Sequence, residues 1–313
     1  MNWNIIDTWL LVTASLIAMA CVLPGVFLLL SRQSMVAHGI AHAVLPGIVI
    51  GHLVSGGVET PALLTGAIIA GILCTVFTRF LHRFSGVEEG AALGISFTTL
   101  FAIGLIMQRL LADHVHIEPS HVLFGNLETA IFQVILEGGG VPDAAWRGLF
   151  ALAINLVFVG FFFKELTITT FDAAHGDTVG ARPRLTYYLL MAMTALTCVI
   201  AFEAVGSILV VAMMIVPPAI ASLLTKKLKT LVALSLLIAL FCAVTGYLLS
   251  LGFLGDTISG AMGFPKVGST NAAGGISVVC GIVFVVTLIT KKLANRNPPH
   301  TRGQRHGTKK ENE

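Results

Sequence analysis

The 313-residue chain is 56% hydrophobic and only 11% charged, with a formal net charge of +3. A soluble domain carries about 25% charged residues, so this composition excludes an ordinary soluble enzyme, and no nucleic-acid partner is expected. Nine stretches contain no Asp, Glu, Lys or Arg: Leu10–Ser31, Ser34–Val58, Thr60–Thr78, Gly90–Gln108, Gly148–Phe163, Leu185–Phe202, Ala204–Thr225, Thr230–Gly255 and Val267–Thr290. A hydrocarbon core about 30 Å thick needs roughly 17–25 apolar helical residues to cross it. The chain therefore reads as an all-α, polytopic integral membrane protein with about nine transmembrane helices, or eight if one segment is re-entrant.

Met1–Thr8 has no basic n-region and no small-residue cleavage pattern follows, so the first span is a retained helix. The second opens with the sharpest polar feature, SMVAHGIAHAVLPGIVIG over Ser34–Gly51. His38 and His42 stack on one face at a spacing of four. Pro46 removes a backbone hydrogen bond, and Gly47 and Gly51 allow close packing. Imidazoles are costly in lipid, so the pair faces a cavity or the bundle interior. Spacing alone leaves open a shared transition metal or hydrogen bonds to neighbouring helices. His52, beyond the proline, reads as interfacial. The segment HGIAH lacks the glutamate of the zinc-protease HExxH, so a metalloprotease is not indicated.

Glu88–Gly94 (EEGAALG) leads into the fourth span, acidic at its start as suits a helix N-terminus. Beyond that span, DHVHIEPSH over Asp113–His121 holds Asp113, His114 and His116 together with Glu118 and His121. Such a set suits a divalent ion, but a solvated loop is the favoured reading, because Pro119 and the loop context leave the geometry unset. Leu123–Leu136 is apolar but too short to span, and reads as re-entrant or surface-lying. Phe171–Ala181 (FDAAHGDTVGA) is a second short, Ala/Gly-rich block between spans, offering a shape that another subunit could cup. The one-residue break at Glu203 marks either a tight hairpin or a re-entrant half-helix. GFPKVGST over Gly263–Thr270 has phosphate-loop spacing, but Ser269 stands where the lysine belongs, so no nucleotide site is read there. The five cysteines all lie in apolar segments without a CxxC pair and read as apolar fillers.

Orientation follows from the basic residues. With the N-terminus outside, sixteen of the 19 Lys and Arg fall on the cytoplasmic side, and only Arg109, Arg147 and Lys266 on the other. Residues 1–292 form the transmembrane domain, and the polar remainder, 293–313, reads as a disordered cytoplasmic tail. Such a tail beside a membrane meets lipid or simply solubilises the terminus.

Five blocks in this order and spacing resemble the permease subunits of the ABC importers for manganese, zinc and iron. They are Ser34–Ile48, Glu88–Leu105, His121–Leu127, Phe171–Leu190 and Val205–Thr225. The resemblance implies an ABC importer permease-type bundle in a bacterial cytoplasmic membrane. It pairs with itself or a sister permease, docks a cytoplasmic ATPase and receives metal from an extracytoplasmic binding protein. No permanently bound cofactor is implied; the divalent metal is cargo, and ATP is used by the partner subunit, so the chain is no enzyme. The resemblance also makes Phe171, Asp172, Ala173, Ala174 and Gly180 part of an ATPase-coupling helix, with Glu88 and Glu89 a second candidate contact. His42 carries over as a metal-pathway residue. At His38 the family usually has an aspartate, so a nitrogen stands here in place of an oxygen. A stand-alone secondary transporter or channel is the alternative. It often carries intramembrane carboxylates, and the nine stretches hold none.

Overall fold

The computed structural model describes residues 5–55, 60–111, 141–251 and 271–296. They form α-helices without a strand among the described residues. In chain order these are α1 (Ile5–Leu30), α2 (Ser34–Ala43), α3 (Leu45–Ser55), α4 (Thr60–Ser85), α5 (Glu89–Leu111) and α6 (Asp143–Phe161). There follow α7 (Phe163–Phe171), α8 (Ala173–Val179), α9 (Pro183–Val205), α10 (Ser207–Leu224), α11 (Leu228–Ser250) and α12 (Ala272–Arg296). Taking α2 and α3 together as one broken span, nine of the described helical segments are long and apolar enough to cross a bilayer. In lipid every backbone polar group needs an internal partner, which is why each span is helical. Span hydroxyls obey the same rule: Thr75, Thr78, Ser96, Thr194 and Ser235 each donate to the carbonyl four residues back.

The bundle is built around α1, which packs against α6, α9, α10 and α11. Its side chains from Cys21 to Leu28 are all buried, whichever face they occupy. Small residues set the closest crossings. A Cβ built on Gly47 of α3 would lie 2.1 Å from the Gly66 carbonyl oxygen of α4, and one on Gly66 equally close to the Gly47 oxygen. On Gly25 of α1 it would lie 2.1 Å from the Met214 oxygen of α10. Only glycine permits such backbone approach, the packing expected where lipid supplies no hydrophobic drive between helices. On the periphery α12 turns Val278, Ile282, Val285 and Val286 outward, an apolar face suited to lipid.

Two breaks differ from or sharpen the sequence expectation. The second span is interrupted at Val44, where α2 ends and α3 begins with Pro46 in its first turn. Proline has no N–H for the carbonyl of residue 42 but is tolerated in a first turn, so the helix restarts there. The other break does not fall at Glu203. α9 runs through that residue to Val205, and the chain turns at Gly206 with φ 80° and ψ 165°, a backbone region open essentially to glycine. Both flanking helices have spanning length, so neither is a half-helix.

Contacts between helix ends sort them as the charge pattern expects. At one end, rich in basic residues, the Arg79 guanidinium of α4 lies 3.6 Å from the Tyr187 ring centroid of α9. Lys291 Nζ of α12 there donates to the Leu223 carbonyl of α10. At the opposite end Tyr247 Oη of α11 donates to Asp7 Oδ1 of α1 at 3.0 Å. Leu123–Leu136, Gly263–Thr270 and the tail from residue 297 lie outside the described residues.

Candidate functional site

Helix α2 is short and two-faced. Val36, Ala37, Gly39, Ile40, Ala41 and Ala43 are buried against the bundle, and their small size lets α2 sit deep. His38 and His42 project from the other face, half-buried, toward α5. Their ring centroids are 4.8 Å apart and nearly perpendicular, at 81°. Phe97 of α5 lies 5.9 Å from His38 and 6.0 Å from His42, and Phe101 lies 5.6 Å from His42. The seam is tight at both ends. A Cβ on Gly39 would stand 2.8 Å from Leu93 Cδ1, and one on Gly104 2.9 Å from Pro46 Cδ.

The centroid separation has the size expected for two imidazoles on one ion, and equally the size of an edge-to-face ring contact. A metal–nitrogen bond of about 2.0–2.1 Å, plus roughly 1.2 Å from nitrogen to ring centre, puts each centroid about 3.2 Å from the metal. An N–metal–N angle of about 90–110° then separates the centroids by about 4.6–5.3 Å. The observed 4.8 Å falls inside that window. Among the described residues no group of three or more His, Cys, Asp or Glu side chains is placed to hold a metal. The pair by itself is thus short of a full metal-ligand set among the described residues.

Of the other sequence candidates, Asp113, His114 and His116 lie outside the described residues. His52, near the end of α3, is half-buried. The block at Phe171–Ala181 folds into a defined feature. Asp172 caps α8 by accepting from the His175 N–H at 2.9 Å. Gly180, at φ 80°, ends it in a left-handed turn while the Ala181 N–H bonds to the Gly176 carbonyl. Buried Leu166 anchors α7, and a Cβ on Gly176 would stand 3.0 Å from Pro183 Cγ, so α8 is held between α7 and α9. Phe171, Asp172, Ala174, His175, Thr178 and Val179 are exposed, a ready contact surface at the basic end; Ala173 opens the helix. Glu88 accepts the Ala92 N–H through its carbonyl at the start of α5. Gly90 and Gly94 leave open space beside that helix.

Residues that sequence reasoning passed over complete the picture. Phe97 and Phe101 share the four-residue spacing of the histidines, a signal present in the Glu88–Leu105 block. Glu89 also has an internal role: Gln33 Nε2 donates to its Oε1 at 3.2 Å. Asn155 of α6, 1% exposed, donates to Thr197 Oγ1 at 2.7 Å and to the Ala20 carbonyl at 3.3 Å. Pro24 lacks the N–H that would otherwise serve Ala20.

The chain is similar along nearly its whole length to known membrane proteins. It is 36% identical over 295 residues to the manganese transport system membrane protein MntD of Bacillus subtilis, covering 93% of this chain and 97% of the relative. It is 36% identical over 250 residues to the zinc transport system membrane protein TroD of Treponema pallidum, covering 80% and 68%. The fold superposes on a chain of PsaBC from Streptococcus pneumoniae in complex with Fab, with a TM-score of 0.70 and 25% identity over 94% of this chain and 96% of that one. The ABC 3 transport family matches residues 5–263. With that match over most of the chain, this multi-pass membrane protein belongs to the ABC 3 transport family.

Proposed function

We propose that this chain is the permease subunit of an ATP-driven importer of a divalent transition-metal ion (manganese, zinc or iron), and that His38 and His42 stand in its pathway. The carrying observation is the pair itself: two imidazoles at a bridging separation, half-buried against Phe97 and Phe101, in a chain of this family. The remaining ligands come from a second permease across the α2–α5 seam, or from water. The names of the relatives support the cargo class, since two of them are called manganese and zinc transport system membrane proteins. A bacterial cytoplasmic membrane is the setting, with the basic end inside.

In this reading an extracytoplasmic binding protein delivers the ion at the Asp7–Tyr247 end. A separate cytoplasmic ATPase engages α8 through Phe171, Asp172, Ala173, Ala174 and the turn at Gly180, and closure of the ATPases switches the pathway inward. The four-residue spacing on α2 lets the ion pass between nitrogens without meeting a fixed carboxylate, so each step holds it loosely.

The test is divalent-metal uptake into cells expressing the chain with and without its ATPase and binding protein. Uptake that requires the ATPase supports the reading, and uptake by the chain alone overturns it in favour of a channel or secondary transporter. Replacing both histidines by Ala should cut uptake at least tenfold, the loss of about 1.4 kcal/mol of ion interaction or more, while the complex still assembles. Full uptake in that variant removes the pair from the pathway.

A further inference from the structure

We propose that the hydrogen bond between Gln33 and Glu89 is a latch that closes the inner end of the α2–α5 seam. The proposal rests on the permease reading above for its functional meaning, but its geometry is independent of the cargo. Gln33 occupies the N-cap position of α2, yet its side chain makes no capping bond. It reaches across to Glu89, in the first turn of α5, and donates at 3.2 Å. The two helices joined in this way carry the histidines and the phenylalanines that face them. The bond therefore spans the base of the same seam, directly inward of His38.

Electrostatics explain why a carboxylate sits there. Two helix N-termini lie side by side, each with the equivalent of about half a positive charge, and the Glu89 carboxylate offsets both. The turn before α2 is held in an uncommon conformation. Arg32 has φ 60°, with the Gln33 N–H bonded to the Leu28 carbonyl at 2.8 Å. A non-glycine residue there is costly and persists where its surroundings hold it, and the bond to Glu89 is one such restraint.

The latch is also placed to feel the coupling helix. A 370 Å³ cavity at the basic end is lined by Gln33, by Arg79 and Arg184, by Thr169 and Thr170 of α7, and by Asp177 of α8. Gln33 Oε1 is buried and accepts nothing in this state. A half-satisfied amide is a poor permanent strut and a good switch, since a shift of α8 that moves Asp177 among the Arg79, Arg184, Thr169 and Thr170 donors of the cavity would free one of them to serve Gln33 Oε1. Glu89 is thus assigned to the gate between α2 and α5, and α8 alone to ATPase contact.

The test uses the permease reconstituted with its ATPase and binding protein, and four variants: Gln33→Ala, Glu89→Ala, Glu89→Gln, and the exchange Gln33→Glu with Glu89→Gln. Loss of one hydrogen bond to an ionised acceptor at a partly solvated site shifts a two-state equilibrium by about fivefold. Each alanine variant should raise ATP hydrolysis without binding protein by about that factor and lower the ions moved per ATP. The exchange restores an amide–carboxylate bond with its direction reversed and should return both values toward wild type. Backbone hydrogen exchange of residues 34–38 and 89–93 in the purified chain supplies a readout independent of transport. It should quicken about fivefold in the single variants and recover in the exchange. Unchanged exchange protection in both alanine variants overturns the latch whether or not transport is ATP-driven. Loss of ATPase co-purification in Glu89→Ala that the exchange does not repair makes Glu89 a docking residue and also overturns it. Absence of ATP-dependent uptake in the wild-type complex removes the functional reading and leaves the hydrogen-exchange result to decide the latch.

Discussion

Replacing Asn155 by Leu should destabilise the bundle by about 2 kcal/mol, and Pro24 should account for most of that loss. Asn155 is buried between three helices and donates to the Ala20 carbonyl of α1 and the Thr197 hydroxyl of α9. Side-chain hydrogen bonds between membrane helices average about 0.6 kcal/mol and reach about 1.7. The Ala20 bond belongs at the upper end, because without it that carbonyl faces an apolar interior, an orphan costing about 1–3 kcal/mol. Thr197 loses less, since its own hydroxyl proton stays on the Met193 carbonyl. A partial offset comes from Asn155 Oδ1, which is itself buried without a partner and disappears in the variant. The causal claim is separable from the total by a double-mutant cycle. Pro24→Ala restores a helical N–H to Ala20, so in that background Asn155→Leu should cost only about 0.6 kcal/mol. The coupling energy is then about 1–1.5 kcal/mol, readable from reversible unfolding in mixed micelles of increasing sodium dodecyl sulfate. Additivity within about 0.3 kcal/mol would refute the argument, because Asn155 would then be doing something other than serving the carbonyl that Pro24 releases.

Two further predictions use the same geometry. Gly47→Val must drive α3 and α4 apart, since even a Cβ there would meet the Gly66 carbonyl at 2.1 Å. A cost of about 3 kcal/mol should abolish the monodisperse peak in fluorescence-detected size exclusion, whereas Gly90→Ala, where nothing lies within 4 Å, should leave it intact. His38→Asp exchanges a nitrogen ligand for a hard oxygen at the same helical position. Competition of zinc against manganese uptake should move toward manganese by on the order of tenfold, about 1.4 kcal/mol, and an unmoved ratio would show that His38 does not touch the ion.

The spans were legible because a charge at membrane depth is expensive, so a charge-free stretch of crossing length has little else to be. The same rule misplaced one break. Glu203 interrupts a charge-free run but not a helix, because helices end where the backbone turns, and that turn is at Gly206. The Phe171–Ala181 block was readable as a folded unit because Asp172 and Gly180 bracket it with an N-cap and a left-handed stop. The facing of His38 and His42 by Phe97 and Phe101 was only half visible. Each pair announces a helical face, but nothing local says that α2 and α5 turn those faces together. The Gln33–Glu89 bond joins residues 56 apart, and the Asn155–Ala20 bond joins residues 135 apart. Such pairings are set by packing and not by any local propensity.

One of those long-range pairs nevertheless had a signature of complementary need. A proline inside a span releases the carbonyl four residues back, and a carboxamide inside a span requires acceptors. In a medium without water the two kinds of residue must find each other or remain unsatisfied. Pro24 and Asn155 do so through Ala20. The other interior prolines release carbonyls by the same logic: Pro46 that of His42, and Pro217 and Pro218 those of Met213 and Met214. Met214 answers with close packing of Gly25, which shields the carbonyl without bonding it. His42 answers with a break in the helix, so the released carbonyl sits at the last turn of α2, where the Val44 N–H bonds to the Ile40 carbonyl at 3.2 Å. Of the released carbonyls, the one next to the proposed ion path is therefore answered by a break in the backbone and not by a side chain from another helix. A side-chain lock there would tie α2 to a neighbouring helix, as Asn155 ties α6 to α1. A side-chain hydrogen bond from another helix thus answers a proline at the α1–α6–α9 node, and a restart of the helix answers one at the α2–α3 joint.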